Sequence, residues 1–249
     1  MYYLVNNVGV KQKYNELIGH VLLFGECCFM MSIAVLASGS GTDLQSIIDA
    51  SEKKIIDARV TVVISDNKEA FALKRAEKHN IAAEFIDPEG KTREEFDEQL
   101  DEVLSNYSVS LVVGAGYMRL LSNNFVEKWF GKLINIHPAL LPSFKGVQAQ
   151  KDALDYGVKI SGCTTHFMDT EMDHGPIILQ AAVKVKESDS EETLKKRILE
   201  VEHQILPRTV QLFVEKRLEI HGRHVKITPG ESWKEKYSLI PNVLYPEGY

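Results

Sequence analysis

Asn135 and His137 stand two apart at the end of the apolar run 133–136, immediately before Pro138. Residues two apart on a strand project to the same face. Pro138 cannot donate to a ladder and biases its predecessor to extended geometry, so the strand stops there. The pair reads as an amide and an imidazole side by side at the carboxyl end of a strand, the place where open α/β sheets bind ligands. Such a pair suits attack on a carbonyl: one group meets the developing oxyanion while the other handles the proton. The same two residues would also serve simply to cap a turn.

Two glycine-bearing turns accompany the pair. Ser38-Gly-Ser-Gly41-Thr42-Asp43 follows the apolar run 33–37 and precedes Leu44, Ile47 and Ile48 at helical spacing. Strand, glycine turn and helix start together offer backbone N–H groups and the positive helix end to a phosphate. The turn lacks the Lys of a P-loop and the full G-x-G-x-x-G of a dinucleotide site, so a small phosphomonoester fits better than ATP or NAD. A tight turn with no ligand is the other reading. Thr42 with Gln45 reads as a capping box. The second turn runs from Gly114 through Gly116 to Met118-Arg119-Leu120-Leu121. Its glycines let a ligand approach the backbone, and Arg119 could hold a carboxylate or be a solvated charge.

The elements that must position these residues alternate. Strands are predicted at 33–37, 60–65, 82–86, 111–113 and 133–137, with helices over 68–79, from the Thr92/Glu95 capping box onward, and over 124–129. Phe96, Leu100, Val103, Leu104 and Tyr107 form a helical core stripe. Alternation predicts an α/β fold with a doubly wound, mostly parallel sheet of Rossmann-like type. Beyond residue 137 the pattern changes. A helix over 147–156 precedes strands 160–168 and 177–186, which read as an antiparallel pair added in the C-terminal half. Ser188 and Glu191 cap a long helix that Pro207 should kink. Residues 228–249 form an irregular tail, with Trp233 and Tyr237 packing onto the body.

Among 249 residues, 29 basic against 35 acidic side chains give a formal charge of −6, which argues against a surface built for nucleic acid. Cys27, Cys28 and Cys163 make neither a disulfide framework nor a metal-ligand spacing, so a cytoplasmic location fits best. The apolar stretch 20–38 superficially resembles a membrane span, but Gly25-Glu26 interrupts it. Residues 1–31 read as a dispensable N-terminal extension, and 32–249 as one domain without repeat or linker.

The Asn135-x-His137-Pro-x-Leu-Leu-Pro142 run, with Asp173 in its Asp-x-Gly-Pro loop, resembles the signature of the folate-dependent formyltransferases. The 38–42 turn, the 116–122 segment and Glu202-His203 before Leu206-Pro207 are similar to the branch acting on glycinamide ribonucleotide. The likeness runs from about residue 32 to about 227. It implies transfer of the formyl group of 10-formyltetrahydrofolate, as co-substrate, to the amine of glycinamide ribonucleotide, the third step of purine synthesis. It assigns Asn135, His137 and Asp173 as the catalytic trio, and Gly41, Thr42 and Asp43 to the phosphate, with Glu202 at the ribonucleotide. Met118, Arg119, Leu120 and Leu121 would line the folate pocket, Asp169, Thr170 and Glu171 would read the pterin, and Arg93 would lie near the folate glutamate. His166 would serve in the core, behind the catalytic groups or at the substrate. No metal, nucleic acid or membrane partner is implied, and the chain would be a monomer or homodimer.

Two departures stand out. Asp43 replaces the common Asn, so either its side chain turns away, which is the expectation, or it repels the phosphate. Ala139 replaces Ser and touches the turn rather than the chemistry. A methionyl-tRNA formyltransferase would continue after Pro142 with an Arg-Gly-Ala-Ala-Pro-like run, where this chain has Ser143-Phe-Lys-Gly-Val-Gln. A formyltetrahydrofolate deformylase would need a regulatory domain larger than 31 residues, and a non-catalytic binding module would not need the complete trio.

Overall fold

The computed structural model describes residues 30–230. Most of the N-terminal extension, with Cys27 and Cys28, lies outside the described residues, as do Trp233 and Tyr237 of the tail.

The elements run β1 (Met31–Leu36), α1 (Thr42–Glu52), β2 (Ala58–Ser65), α2 (Phe71–Lys78), β3 (Ala82–Phe85), α3 (Arg93–Asn106), β4 (Leu111–Gly114), α4 (Asn123–Lys128) and β5 (Leu133–His137). They continue α5 (Ala149–Tyr156), β6 (Ile160–Phe167), β7 (Ile177–Lys184), α6 (Glu191–Val214), β8 (Leu218–His221) and β9 (His224–Ile227). One sheet has the order β3-β2-β1-β4-β5-β6-β7-β9-β8. Strands β1 to β5 pair in parallel, and β6 and β7 add antiparallel. The expected fold class is therefore the observed one. Not foreseen was the return of the C-terminal hairpin to the sheet, with β9 parallel to β7.

Strand order reverses between β1 and β4, and such a switch point is where open α/β sheets bind ligands, beyond the strands' carboxyl ends. Two cores flank the sheet. On one face α1, α2 and α6 bury Leu44, Ile47, Leu73, Ile198, Ile205 and Val210 against Val35, Val113, Ile134 and Ile136. On the other, α3 and α4 bury Phe96, Leu100 and Phe125 against Leu36, Val112 and Leu133.

Helix starts differ from expectation where local turns intervene. The Thr42/Gln45 capping box does not form: Gly41, at φ 68 in the left-handed region, takes the N-cap and no side chain caps α1. A Cβ on Gly41 would meet Ala72 of α2 at 2.8 Å, so close packing also requires glycine here. Helix α2 starts later than residue 68 because the Asn67 side chain and carbonyl bind the N–H groups of Glu69 and Ala70. On α6 the capping box is Ser190 with Thr193 rather than Ser188 with Glu191, since Asp189 turns back to bond the Lys186 N–H. The Thr92/Glu95 box forms as expected. Helix α6 runs through Pro207 without interruption.

Candidate active site

Alternation along β5 sorts its side chains. Ile134 and Ile136 enter the α1/α6 core while Asn135 and His137 take the opposite face, whose apolar cluster includes Leu133 from this strand. The expected juxtaposition is therefore present, and the neighbouring strands complete it. Gly114 is the register partner of Asn135 on β4, and a Cβ there would sit 2.7 Å from Asn135 Oδ1. His166 is its partner on β6.

His166 is buried, and that burial pulls its pKa down, favouring the neutral ring. With Nδ1–H donating to the Phe167 carbonyl at 2.9 Å, Nε2 is left to accept one Asn135 amide hydrogen at 3.2 Å. That fixes which end of the carboxamide is the donor. The second amide hydrogen remains for a substrate.

His137 is 4% exposed and held at both ring nitrogens. Nε2 donates to the Phe144 carbonyl at 2.8 Å, and Nδ1 faces Asp173 Oδ2 at 3.4 Å. Asp173 reaches this position because the loop after β6 folds back over the sheet face. Gly175 permits the return, since a Cβ there would lie 1.8 Å from the Phe167 carbonyl oxygen. Asp173 itself sits at φ 49 and accepts the Gly146 N–H at 2.8 Å, tying the 143–146 turn to the same carboxylate.

Sequence reasoning missed the support beneath this turn. Thr164 Oγ1 donates to the Ala139 carbonyl at 2.7 Å and accepts the Leu141 N–H at 3.1 Å. Gln180 Nε2 donates to the Leu141 carbonyl and to Thr164 Oγ1. The signal was faint: two polar residues on predicted strands that turn out to be wholly or partly buried.

At the carboxyl end of β1, the 38–42 turn is stretched between neighbours. Ser38 Oγ donates to Asp66 at 2.6 Å and accepts the Met118 N–H at 2.9 Å. Arg75 of α2, also missed, donates through Nε to the Ser40 carbonyl at 2.8 Å and through Nη1 to Gln45. Thr92, Ser122 and Ser190 hydroxyls cap α3, α4 and α6, whereas the first N–H groups of α1, like those of α2 and α5, have no side-chain cap among the described residues. Asp43 turns inward against α6, 8% exposed, with His203 Nε2 3.7 Å from its Oδ1. Glu202 is buried beside it, and burial raises both carboxyls, that of Asp43 to about 7.

The 116–122 segment alternates. Met118 and Leu120 are exposed, and Leu121 enters the α3/α4 core. The Arg119 guanidinium lies over the Phe96 ring at 4.4 Å, and its Nε has no hydrogen-bond partner among the described residues. Arg93, exposed on the first turn of α3, and Arg119 both act on the buried Asp97, whose carboxyl burial pushes up. Asp169 accepts from the Glu171 N–H and from His174 Nδ1 at 2.8 Å, leaving Thr170 and Glu171 exposed. Among the described residues no cluster of three His, Cys, Asp or Glu side chains could hold a metal ion, and no helix is long and apolar enough to cross a membrane.

The sheet carries an Asn–His strand end, a returning aspartate loop and a glycine turn, and the chain belongs to the formyl transferase family, whose pattern matches residues 31–210. Within that family it is similar to phosphoribosylglycinamide formyltransferase of Escherichia coli K12, 41% identical over 192 residues that cover 77% of this chain and 91% of that protein. It is 43% identical over 196 residues to the human trifunctional purine biosynthetic protein adenosine-3, of which it spans only 19%. The crystal structure of glycinamide ribonucleotide transformylase 1 from Symbiobacterium toebii superposes with a TM-score of 0.80 at 47% identity, covering 83% of this chain and 98% of that one.

Proposed function

We propose that the protein transfers the formyl group of 10-formyltetrahydrofolate to the amine of glycinamide ribonucleotide, giving formylglycinamide ribonucleotide and tetrahydrofolate. The observation that carries this reading is the placement of Asn135 and His137 on one face at the end of β5, with His137 Nδ1 3.4 Å from Asp173 Oδ2.

Amine attack on the formyl carbon produces a tetrahedral centre with a developing O⁻. The free amide hydrogen of Asn135 donates to it, and the His137 imidazolium stabilises it through charge. For His137 to add an N–H, its Nε2 must exchange the Phe144 carbonyl for the oxyanion. Asp173 holds the ring and, directly or through water, takes the proton the amine sheds and relays it to the folate nitrogen as the bond from that nitrogen to the formyl carbon breaks and tetrahydrofolate leaves.

The uncapped start of α1, with Gly41, Thr42 and the adjoining backbone of Asp43, receives the phosphate, and Arg75 positions that turn. Glu202 is assigned to the ribonucleotide by the family resemblance. Exposed Met118 and Leu120 offer apolar surface to the folate, the backbone of 169–171 edges its pterin, and Arg93 with Arg119 supplies charge for its glutamate. The reading treats residues 32–249 as one formyltransferase domain, cytoplasmic, acting on small molecules as a monomer or homodimer without metal.

The test supplies 10-formyltetrahydrofolate with either glycinamide ribonucleotide or water as acceptor and follows folate release. Release that requires the ribonucleotide is expected. Equal release with water alone would make the protein a deformylase.

A further inference from the structure

Asp43 stands in the turn assigned above to the phosphate, and its surroundings give it a consequence. It occupies the second position of α1, where the helix end favours any negative charge, its own and a phosphate's alike. Among the described residues its Oδ1 is buried without a hydrogen-bond partner, and so is Nε2 of His203, 3.7 Å away. On α6, Glu202 is 3% exposed and its carboxyl is pushed up by burial and then by the charge of Asp43, with Lys195 opposing. Beneath both lies Cys163 of β6, a fully buried thiol on which the two carboxylates act. The remaining charges in reach, Asp49 of α1, Glu200 of α6 and Arg75 of α2, bear on His203, and the Arg75 guanidinium is already engaged with Ser40 and Gln45. Two buried carboxylates that act on each other do not both ionise readily, and a phosphate dianion at the same helix end adds further negative charge.

We propose that the Asp43 side chain carries a proton whenever a phosphate occupies the 38–42 turn, so that this residue, with its neighbours Glu202 and His203, makes ribonucleotide affinity fall as pH rises. The proposal rests on the phosphate reading above and extends it to a proton taken up on binding. Burial that raises Asp43 to about 7 places the onset near neutrality. Above that pH, binding must take up one proton, and affinity loses about tenfold per pH unit in the limit of full linkage.

The experiment is calorimetric titration of glycinamide ribonucleotide into the full-length protein and into Asp43→Asn, between pH 6 and 8.5, in buffers of different ionisation heat. The ligand's own ionisations cancel in the comparison. At pH 8 the parent protein is expected to take up close to one proton more than Asp43→Asn, and the ratio of the two Kd values to climb about tenfold per pH unit above about 7. Equal proton uptake with a constant Kd ratio would overturn the proposal while leaving the phosphate reading in place. Failure of both proteins to bind the ribonucleotide at any pH would remove the phosphate reading and the proposal with it. Should Asp43→Asn not fold, Asp43→Ser gives the same comparison.

Discussion

Gly114 fixes where the Asn135 carboxamide can be. A methyl group at Gly114 would lie 2.7 Å from Asn135 Oδ1, inside contact distance, and the carboxamide must rotate or retreat. Gly114→Ala is therefore expected to lower kcat while the melting temperature changes little. Asn135→Ala, which removes the oxyanion donor, should lower kcat by about 10²–10³. If the two act through one group, the double variant will be no slower than Asn135→Ala alone, and kcat values from the four proteins of that cycle test it. Asp173→Ala should lose about 10²–10⁴ in kcat with the fold retained, as judged by circular dichroism. Much of this site was legible in the sequence. The parity of residues 135 and 137 and the Pro138 stop follow from strand geometry alone, and the Asp173 loop carries a motif. Gly114 was expected to admit a ligand; that it instead makes room for the Asn135 carboxamide, and that Thr164 supports the turn, depends on register between strands, while the His166 tautomer depends on the carbonyl beside it.

At the scale of elements, hydrophobic spacing located the helices, but their first turns were decided by competition between local hydrogen bonds. Ser188 and Glu191 have the spacing of a capping box, yet Asp189 takes the Lys186 N–H and forms a two-pronged pair with Arg197, which shifts the cap to Ser190. Ser190→Ala is accordingly expected to cost about 1 kcal/mol in urea unfolding, whereas Ser188→Ala should stay within about 0.5 kcal/mol. The reverse order would restore the cap expected from spacing. Gly41 has a similar lesson with a functional edge. Its left-handed φ and the 2.8 Å approach of Ala72 make Gly41→Ala strained on two grounds. Backbone strain alone costs on the order of 1–2 kcal/mol. Because the same residue shapes the uncapped turn, the variant should lose both melting temperature and ribonucleotide affinity, where Ser190→Ala should lose only the first.

Over the whole molecule, alternation of strand and helix was enough to expect the parallel half of the sheet, while the return of β9 beside β7 rests on a single long-range pairing that no local pattern encodes. The packing of α6 across α1 is equally non-local, and it buries Asp43, Glu202 and part of His203 in one place. That arrangement links folding to pH. Asp43 is raised from 3.8 to about 7 by burial, so between those values the folded chain binds more protons than the unfolded one. Its contribution is therefore most favourable at low pH, declines as pH rises through that window, and is constant above it. Glu202 is raised too and acts in the same direction, whereas His166 and His203, lowered by burial, weaken the fold as pH falls below about 6.5. Replacing Asp43 by Asn removes the first effect and leaves the histidine limb intact. Asp43→Asn should thus raise the melting temperature more at pH 8 than at pH 5, by about 2–4 °C for each kcal/mol of relieved burial. Thermal melts of both proteins at pH 5, 6, 7 and 8 check this, and a melting-temperature difference independent of pH would show that the Asp43 carboxyl does not titrate with folding.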